Sequence, residues 1–558
     1  MSPEVSREGI ALPDRYIAVA AAGIESLLEQ QLEDGRFPSP PGYVPFHPAD
    51  QQAIYPLTFL YATEHALNPY HGDTRLLEAA LRLGDFLVAN SEEDGKMHNN
   101  WNGHDVHMVD QRLWGFWLES WVLLADALDP ERSAAWRQRI EAGIDDIARR
   151  LHGWVDIEEE WHTRSFGTSP NHASLYGALV YRGGMVFDRA EWRELADAFM
   201  TRFLRLQDED GCWPEYETPV ISYATVTLCG IGLMYEYTER ADMREAIERS
   251  LPFLLHAYHP DTSPMVVLDG RVQHHAKHRP WAHFAMSLTP EGRGLAEFQV
   301  PSVDLSAHAP ESVGRLLQNY VYWHHGPSVP VPQTRETFAY RMKQPAGTRK
   351  RGPWTWGLQG IVKPENFESC FSMDRQQLLE LFHTRTGLVL NGANCKECPE
   401  AASFVSTRTP DDFLPRSAAL NAEVTRIKAD YRTFGALLEL ECRSNDEFVV
   451  QASSVASSAD DVIRFRLQPA AACGDSVTID GDERDLGEDA WEAAEATSLA
   501  WGGVTLRFDR PARLWWPFIG YNSYAGNHTY RDLHAARLIA EMELTTDDPH
   551  ASVRIEID

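Results

Sequence analysis

Up to about residue 260 the apolar positions recur with a period near 3.6, which predicts helices throughout the first part of the chain. The helices alternate in character. Those near 13–32, 73–90, 131–152, 188–206 and 241–258 are charged and amphipathic, as in Trp136-Arg137-Gln138-Arg139-Ile140-Glu141. Between them, segments near 51–66, 109–127, 170–182 and 218–238 are richer in apolar, aromatic and small residues, as in Gln111-Arg112-Leu113-Trp114-Gly115-Phe116-Trp117. A helix that is hydrophobic nearly all round is a buried one. Outer and inner helices in strict alternation predict an α/α toroid, an incomplete barrel of helical hairpins, over residues 1–328. An internal repeat supports it. Gln31-Leu32-Glu33-Asp34-Gly35-Arg36-Phe37 matches Gln207-Asp208-Glu209-Asp210-Gly211-Cys212-Trp213, each closing an outer helix, and Asn90–Met97 is a looser copy. The glycine stops the helix and the aromatic tucks back onto the hairpin.

After about residue 330 the period shortens to two. Runs such as Leu378–Leu381, Leu388–Leu390, Leu437–Leu440, Phe448–Val450, Val462–Leu467, Val504–Phe508 and Ser552–Ile557 are punctuated by Gly, Asn, Asp and Pro. They predict an antiparallel β-sandwich over residues 329–558. The stretch between 260 and 330 is ambiguous, holding a His-rich loop (His274, His275, His278, His283) and one helical run from Pro310 to His325.

The 558 residues, 43% hydrophobic, suffice for two domains with real cores. A net charge of −31 argues against a nucleic-acid or anionic-membrane partner. Seven cysteines are sparse, and the one CxxC, Cys395-Lys396-Glu397-Cys398, has no second pair at zinc-finger spacing, so a reducing compartment is expected. Glu4, Arg7, Glu8, Asp14 and Arg15 occupy the place of a signal core, and no apolar run reaches membrane-spanning length. These features predict a soluble cytoplasmic protein. Oligomeric state is left open, homo-oligomers included.

The chemistry concentrates at two predicted helix starts. Ser169 is a good N-cap with Pro170 at the first helical position, and Thr218-Pro219 repeats the device. Asn171, His172 and Tyr223 then fall within about a turn and a half of two consecutive inner helices. Inner helices of a toroid run parallel, so their N-termini share one rim. An amide, an imidazole and a phenol gathered there can neutralise a carboxylate, take a proton and return one. The plainer alternative makes Asn171 an extension of the cap and Tyr223 a core residue. Helix N-termini collect positive potential and favour an anionic ligand. Asn100, Trp101, His104, Asp110 and Arg112 lie before or at the start of the 109–127 helix, and Trp213, Glu215, Tyr216 and Glu217 precede the 218–238 helix. Trp213 reads equally as a sugar platform or as the turn's structural aromatic. Two basic stretches, Arg341–Arg351 and His274–Arg279 with His275 and Arg279, either line a groove or are solvated loops.

These residues resemble a known pattern. The chain looks like the polysaccharide lyases that join an α/α toroid to an antiparallel β-sandwich, the heparinase II/III-like and alginate/oligoalginate lyase group. Those enzymes carry Asn-His at the start of one inner helix and Tyr on the next, as do Asn171, His172 and Tyr223. The stretch Glu380–Gly387 resembles the strand that lends them a further histidine, which makes His383 the matching residue. The family's zinc pattern, paired His on one strand with a downstream Asp and His, is not evident, and no cofactor is expected to be required. The resemblance implies β-elimination at a uronic acid of an anionic oligo- or polysaccharide. A rival reading is an inverting glycoside hydrolase, including hydrolases of unsaturated uronides, using Asp110 with Glu215 or Glu217. A third is a non-catalytic carbohydrate-binding protein.

Overall fold

The computed structural model describes residues 10–39, 43–101, 104–157, 169–215, 218–271, 281–300, 310–363, 369–521 and 533–558. The chain forms two compact units. One is drawn from Met1–Trp213, Ser222–Leu251 and Arg279–Pro330, the other from Pro214–Ile221, Pro252–His278 and Val331–Asp558. The late division falls close to the boundary read from the sequence, but the second unit also takes two earlier stretches.

The first unit is an α/α toroid. Its helices are α1 (Leu12–Gln30), α2 (Ile54–Ala62), α3 (Thr74–Asn90), α4 (Gln111–Leu123), α5 (Pro130–Val155), α6 (Pro170–Val186), α7 (Ala190–Phe203), α8 (Ile221–Thr238), α9 (Ala241–His256), α10 (His283–Met286), α11 (Pro290–Gln299) and α12 (Pro310–Val321). Inner helix α2 packs on α4 and α4 on α6, while outer helix α3 packs on α5 and α5 on α7. Helix α12 packs against both α1 and α2. A three-stranded sheet of β1 (Tyr43–Val44), β2 (Met97–Trp101) and β3 (His104–Met108) leads into α4.

The repeated turn is a structural staple. Gln31 Nε2 donates to the carbonyls of Gly35 at 2.7 Å and Ala79 at 2.9 Å, and Gln207 Nε2 donates to those of Gly211 at 3.0 Å and Ala246 at 2.8 Å. Each glutamine thus ties its own turn to the next outer helix. Gly35 and Gly211 have φ of +90° and +80°, and a Cβ there would come within 2.5 Å of the Arg82 carbonyl oxygen and 2.0 Å of that of Arg249. Only glycine meets both demands. The aromatics that follow, Phe37 and Trp213, are both buried.

His283 belongs to this core and not to a surface loop. Its Nδ1 accepts from the Tyr16 hydroxyl at 2.7 Å, and its Nε2 faces Gln299 Oε1 at 3.2 Å. Burial pushes its pKa down to about 4, against a smaller upward pull from Gln299. Between about pH 6.5 and 4 the unfolded chain therefore binds a proton that the folded chain does not, so stability falls as pH drops through that window. Denaturation midpoints should show wild type losing about 2 kcal/mol more between pH 7 and 5 than His283→Gln does. Equal losses would remove His283 as the titrating group.

The second unit is an antiparallel sandwich. Strands β4 (Thr337–Arg341), β5 (Ala346–Arg351), β6 (Trp354–Gln359), β7 (Leu379–His383) and β8 (Gly387–Leu390) form one sheet in sequence order, and twelve strands between Phe404 and Ile557 form the other. Trp354 and Trp356 of β6 pack on Phe448 of the larger sheet, with ring centroids 5.2 Å apart in both cases. Within the described residues 252–271, buried polar contacts join this stretch to the unit. His259 Nε2 meets Glu380 Oε1 at 2.5 Å, and Glu380 Oε2 accepts from the Val267 N–H at 2.7 Å. Among the described residues no helix is long and apolar enough to cross a membrane.

Candidate active site

Helix α6 starts as its sequence predicts, with Ser169 as N-cap in an extended conformation and Pro170 in the first turn. The Ser169 hydroxyl does not cap the backbone; it accepts from Asn171 Nδ2 at 2.7 Å. Asn171 is buried and His172 half-buried. Helix α8 begins later than Thr218-Pro219 predicts. Thr218 turns its hydroxyl to the Glu215 carbonyl at 3.4 Å, and the helix opens at Ile221, whose N–H donates to Asp269 Oδ2 at 2.9 Å. Tyr223 therefore sits in the first turn of α8, half-buried.

Two contacts fix the relation of α6 to α8. A Cβ on Gly230 would lie 2.5 Å from the Ser174 backbone, and Tyr181 stacks on Tyr237 with centroids 6.4 Å apart. Both pairs are offset by 56 residues, so the helices run parallel and in constant register. In that register Tyr223 stands about 6 Å along the axis ahead of Asn171, at the same end of the toroid. The first turn of α4 reaches that end too, because Gln111 Nε2 lies 2.8 Å from His172 Nδ1. With the Gln111 amide oriented this way Nδ1 is the acceptor, and a neutral His172 then carries its proton on Nε2. Gln111 is buried, and its Oε1 meets no hydrogen-bond partner.

Beside this group, Asp110 caps α4 by accepting from the Arg112 and Leu113 N–H groups, each at 3.0 Å, and pairs with Arg112 Nη2 at 2.8 Å. Burial raises the Asp110 pKa, but Arg112 and the cap bonds outweigh it and hold the carboxyl at about 2. A carboxylate so held is no general acid at neutral pH. Glu215, only 1% exposed, pairs with Arg271 at 3.2 Å in the second unit. Both described carboxylates of the hydrolase reading are thus ion-paired; Glu217 lies outside the described residues.

The other predicted residues separate. Arg112 stays with Asp110 at the start of α4. Asn100, on β2, is half-buried and donates to Asp105 Oδ1 at 3.0 Å. Of the two readings of Trp213, burial fits the turn's structural aromatic and not a sugar platform: it is 1% exposed and stacks on Phe203 with rings inclined by only 4°. Glu215 is likewise too buried, in its ion pair, to meet a sugar. His383 lies buried in the sandwich, its Nε2 on the Asn445 carbonyl at 3.1 Å, its Nδ1 accepting from the Arg385 N–H at 3.2 Å, and its ring on Trp354. Burial also lowers its pKa. Both ring nitrogens are engaged inside the sandwich, one of them with a turn of the larger sheet, which accounts for His383 as a packing residue. The side chains of Trp101 and His104, and the residues Tyr216, His275 and Arg279, lie outside the described residues. No group of three His, Cys, Asp or Glu among the described residues suits a metal ion, and both nitrogens of His283 are occupied by protein partners.

No family model matches the chain, and no curated protein sequence does. Solved structures do. A chondroitinase AC lyase, studied in complex with oligosaccharides, is 10% identical, with 98% of this chain and 82% of that one covered and a TM-score of 0.50. Heparinase III is 11% identical, with 100% of this chain and 87% of that one covered and a TM-score of 0.51. The likeness is one of fold. The chain has the α-then-β architecture of these polysaccharide lyases over nearly its whole length.

Proposed function

We propose that this protein is a lyase that cleaves a uronic-acid-containing oligo- or polysaccharide by β-elimination. The observation that carries the reading is the parallel register of α4, α6 and α8, which gathers Gln111, Asn171, His172 and Tyr223 at one end of the toroid. The fold shared with a chondroitinase and a heparinase supports it.

The C5 proton of a uronate is weakly acidic until the adjacent carboxylate is neutralised and its enolate-like form stabilised. Asn171 and the N–H on His172 Nε2 supply donors for that carboxylate, in the positive potential of the helix N-termini. With its proton on Nε2, His172 is a donor and not the base. Tyr223 as phenolate takes the C5 proton, becomes the phenol, and hands that proton to the departing glycosidic oxygen as the C4–O bond breaks. A free phenol has a pKa of about 10, so turnover should rise with pH as the phenolate fraction grows. No step draws on a metal or cofactor. The hydrolase reading is weaker because Asp110 and Glu215 are both buried in ion pairs, with Arg112 and Arg271, so neither is poised as the general acid. All seven cysteines are free thiols, which suits the cytoplasm as its compartment.

The test is incubation with a panel of uronate oligosaccharides. The expected products carry a conjugated C4=C5 double bond, seen as new ultraviolet absorbance, and take no oxygen from labelled water. Labelled saturated products would establish hydrolysis instead.

A further inference from the structure

The toroid encloses a narrow cavity of about 30 Å3, lined by Gln111, Arg112, Glu119, Arg182, Arg315 and Gln318 together with apolar side chains. Two of its three arginines have their own carboxylates: Arg112 pairs with Asp110 at 2.8 Å, and Arg182 grips Glu119 with two bonds of 2.7 and 3.0 Å. Arg315 has none. It is 2% exposed, its guanidinium lies between the Phe116 and Trp281 rings at 4.6 and 4.7 Å, and Nη1 reaches only Gln318 Oε1 at 2.5 Å and Cys229 Sγ at 3.5 Å. Among the described residues its Nε has no hydrogen-bond partner. Among the described residues the cavity wall therefore carries one uncompensated positive charge, within cation–π distance of two rings and beside a space that solvent-sized groups can enter.

A buried cation left without a counter-ion is a costly arrangement, and a fixed planar guanidinium is the preferred partner of a carboxylate. We propose that this cavity is a binding site for one monovalent anion of carboxylate size, with Arg315 as its charge. The space holds roughly two waters or a carboxylate group, and no sugar ring. The anion is either a small free one or the carboxylate of a uronate whose ring stays outside. The proposal rests on charge and space, and binding is its readout, so it stands or falls apart from the lyase reading.

The experiment is calorimetric titration of the full chain with sodium chloride, sodium acetate and sodium glucuronate at constant ionic strength, with the uncharged methyl ester of glucuronate as control. At least one anion should bind saturably while the ester does not. Chloride or acetate binding identifies a small free anion; glucuronate alone identifies the sugar carboxylate. Arg315→Met, which keeps a long side chain between the two rings, should weaken binding about tenfold or more. Gln318→Glu is nearly isosteric and places the missing negative charge beside Nη1, so it should abolish binding even where Arg315→Met does not fold. No saturable binding by any of the three anions, or unchanged binding in either folded variant, would overturn the proposal.

Discussion

Tyr223→Phe is expected to lower turnover by roughly 10²–10⁴, the range for loss of a general acid or base, and to leave the fold intact. The substitution removes one oxygen from a half-buried side chain in the first turn of α8, while Ala224, Val226 and Leu228 keep the helix seated in the core. Because the phenol carries the proton in both halves of the elimination, kcat should fall far more than KM rises. Circular dichroism and the melting temperature should match wild type. If Tyr223 served only packing, the same variant would turn over near normally, and Tyr216 would be the next phenol to examine.

The fold was largely legible in the sequence, and for a physical reason. An inner helix of a toroid is covered on all sides, so segments such as 109–127 are apolar all round while their outer partners carry one polar face, and hydropathy alone separates the two. Strands with one solvated face, such as Phe434–Cys442, alternate in the same visible way. What escaped was set by tertiary contact. β6, Trp354–Gln359, alternates in sequence yet is buried on both faces, and nothing local announces that Thr355 and Gln359 are covered. The start of α8 is fixed at Ile221 by Asp269, 48 residues further on, which no local signal announces. Residues 252–271 join the sandwich through His259 and Glu380, a pair 121 residues apart.

The site divides along the same line. Asn171, His172 and Tyr223 were legible because each opens a helix and the inner helices are parallel. Gln111 was not: within an aromatic run it looks like part of a buried face, and only its contact with a ring 61 residues away brings it to His172. Trp213 and Glu215 were misleading because residues flanking a helix start face inward as readily as outward, and here both turn into packed or ion-paired positions.

Asn171→Ala is expected to lower turnover by roughly 10²–10³, the loss that follows removal of one donor to a developing oxyanion. The structure also supplies the control that separates this from a local packing effect. Within its own turn the Asn171 amide donates to Ser169 Oγ at 2.7 Å, and that hydroxyl caps no backbone group. Ser169→Ala removes the same hydrogen bond from its other end and leaves the amide in place. If Asn171 merely steadies the helix start, the two variants should lose similar stability, about 1 kcal/mol each, and similar activity. If Asn171 meets the substrate carboxylate, Ser169→Ala should keep most of its turnover while Asn171→Ala loses it at unchanged substrate affinity for the neutralised methyl ester. Paired measurement of melting temperature and kcat in the two variants decides the matter: parallel losses return Asn171 to the helix cap, and a loss of turnover confined to Asn171→Ala assigns it to the chemistry.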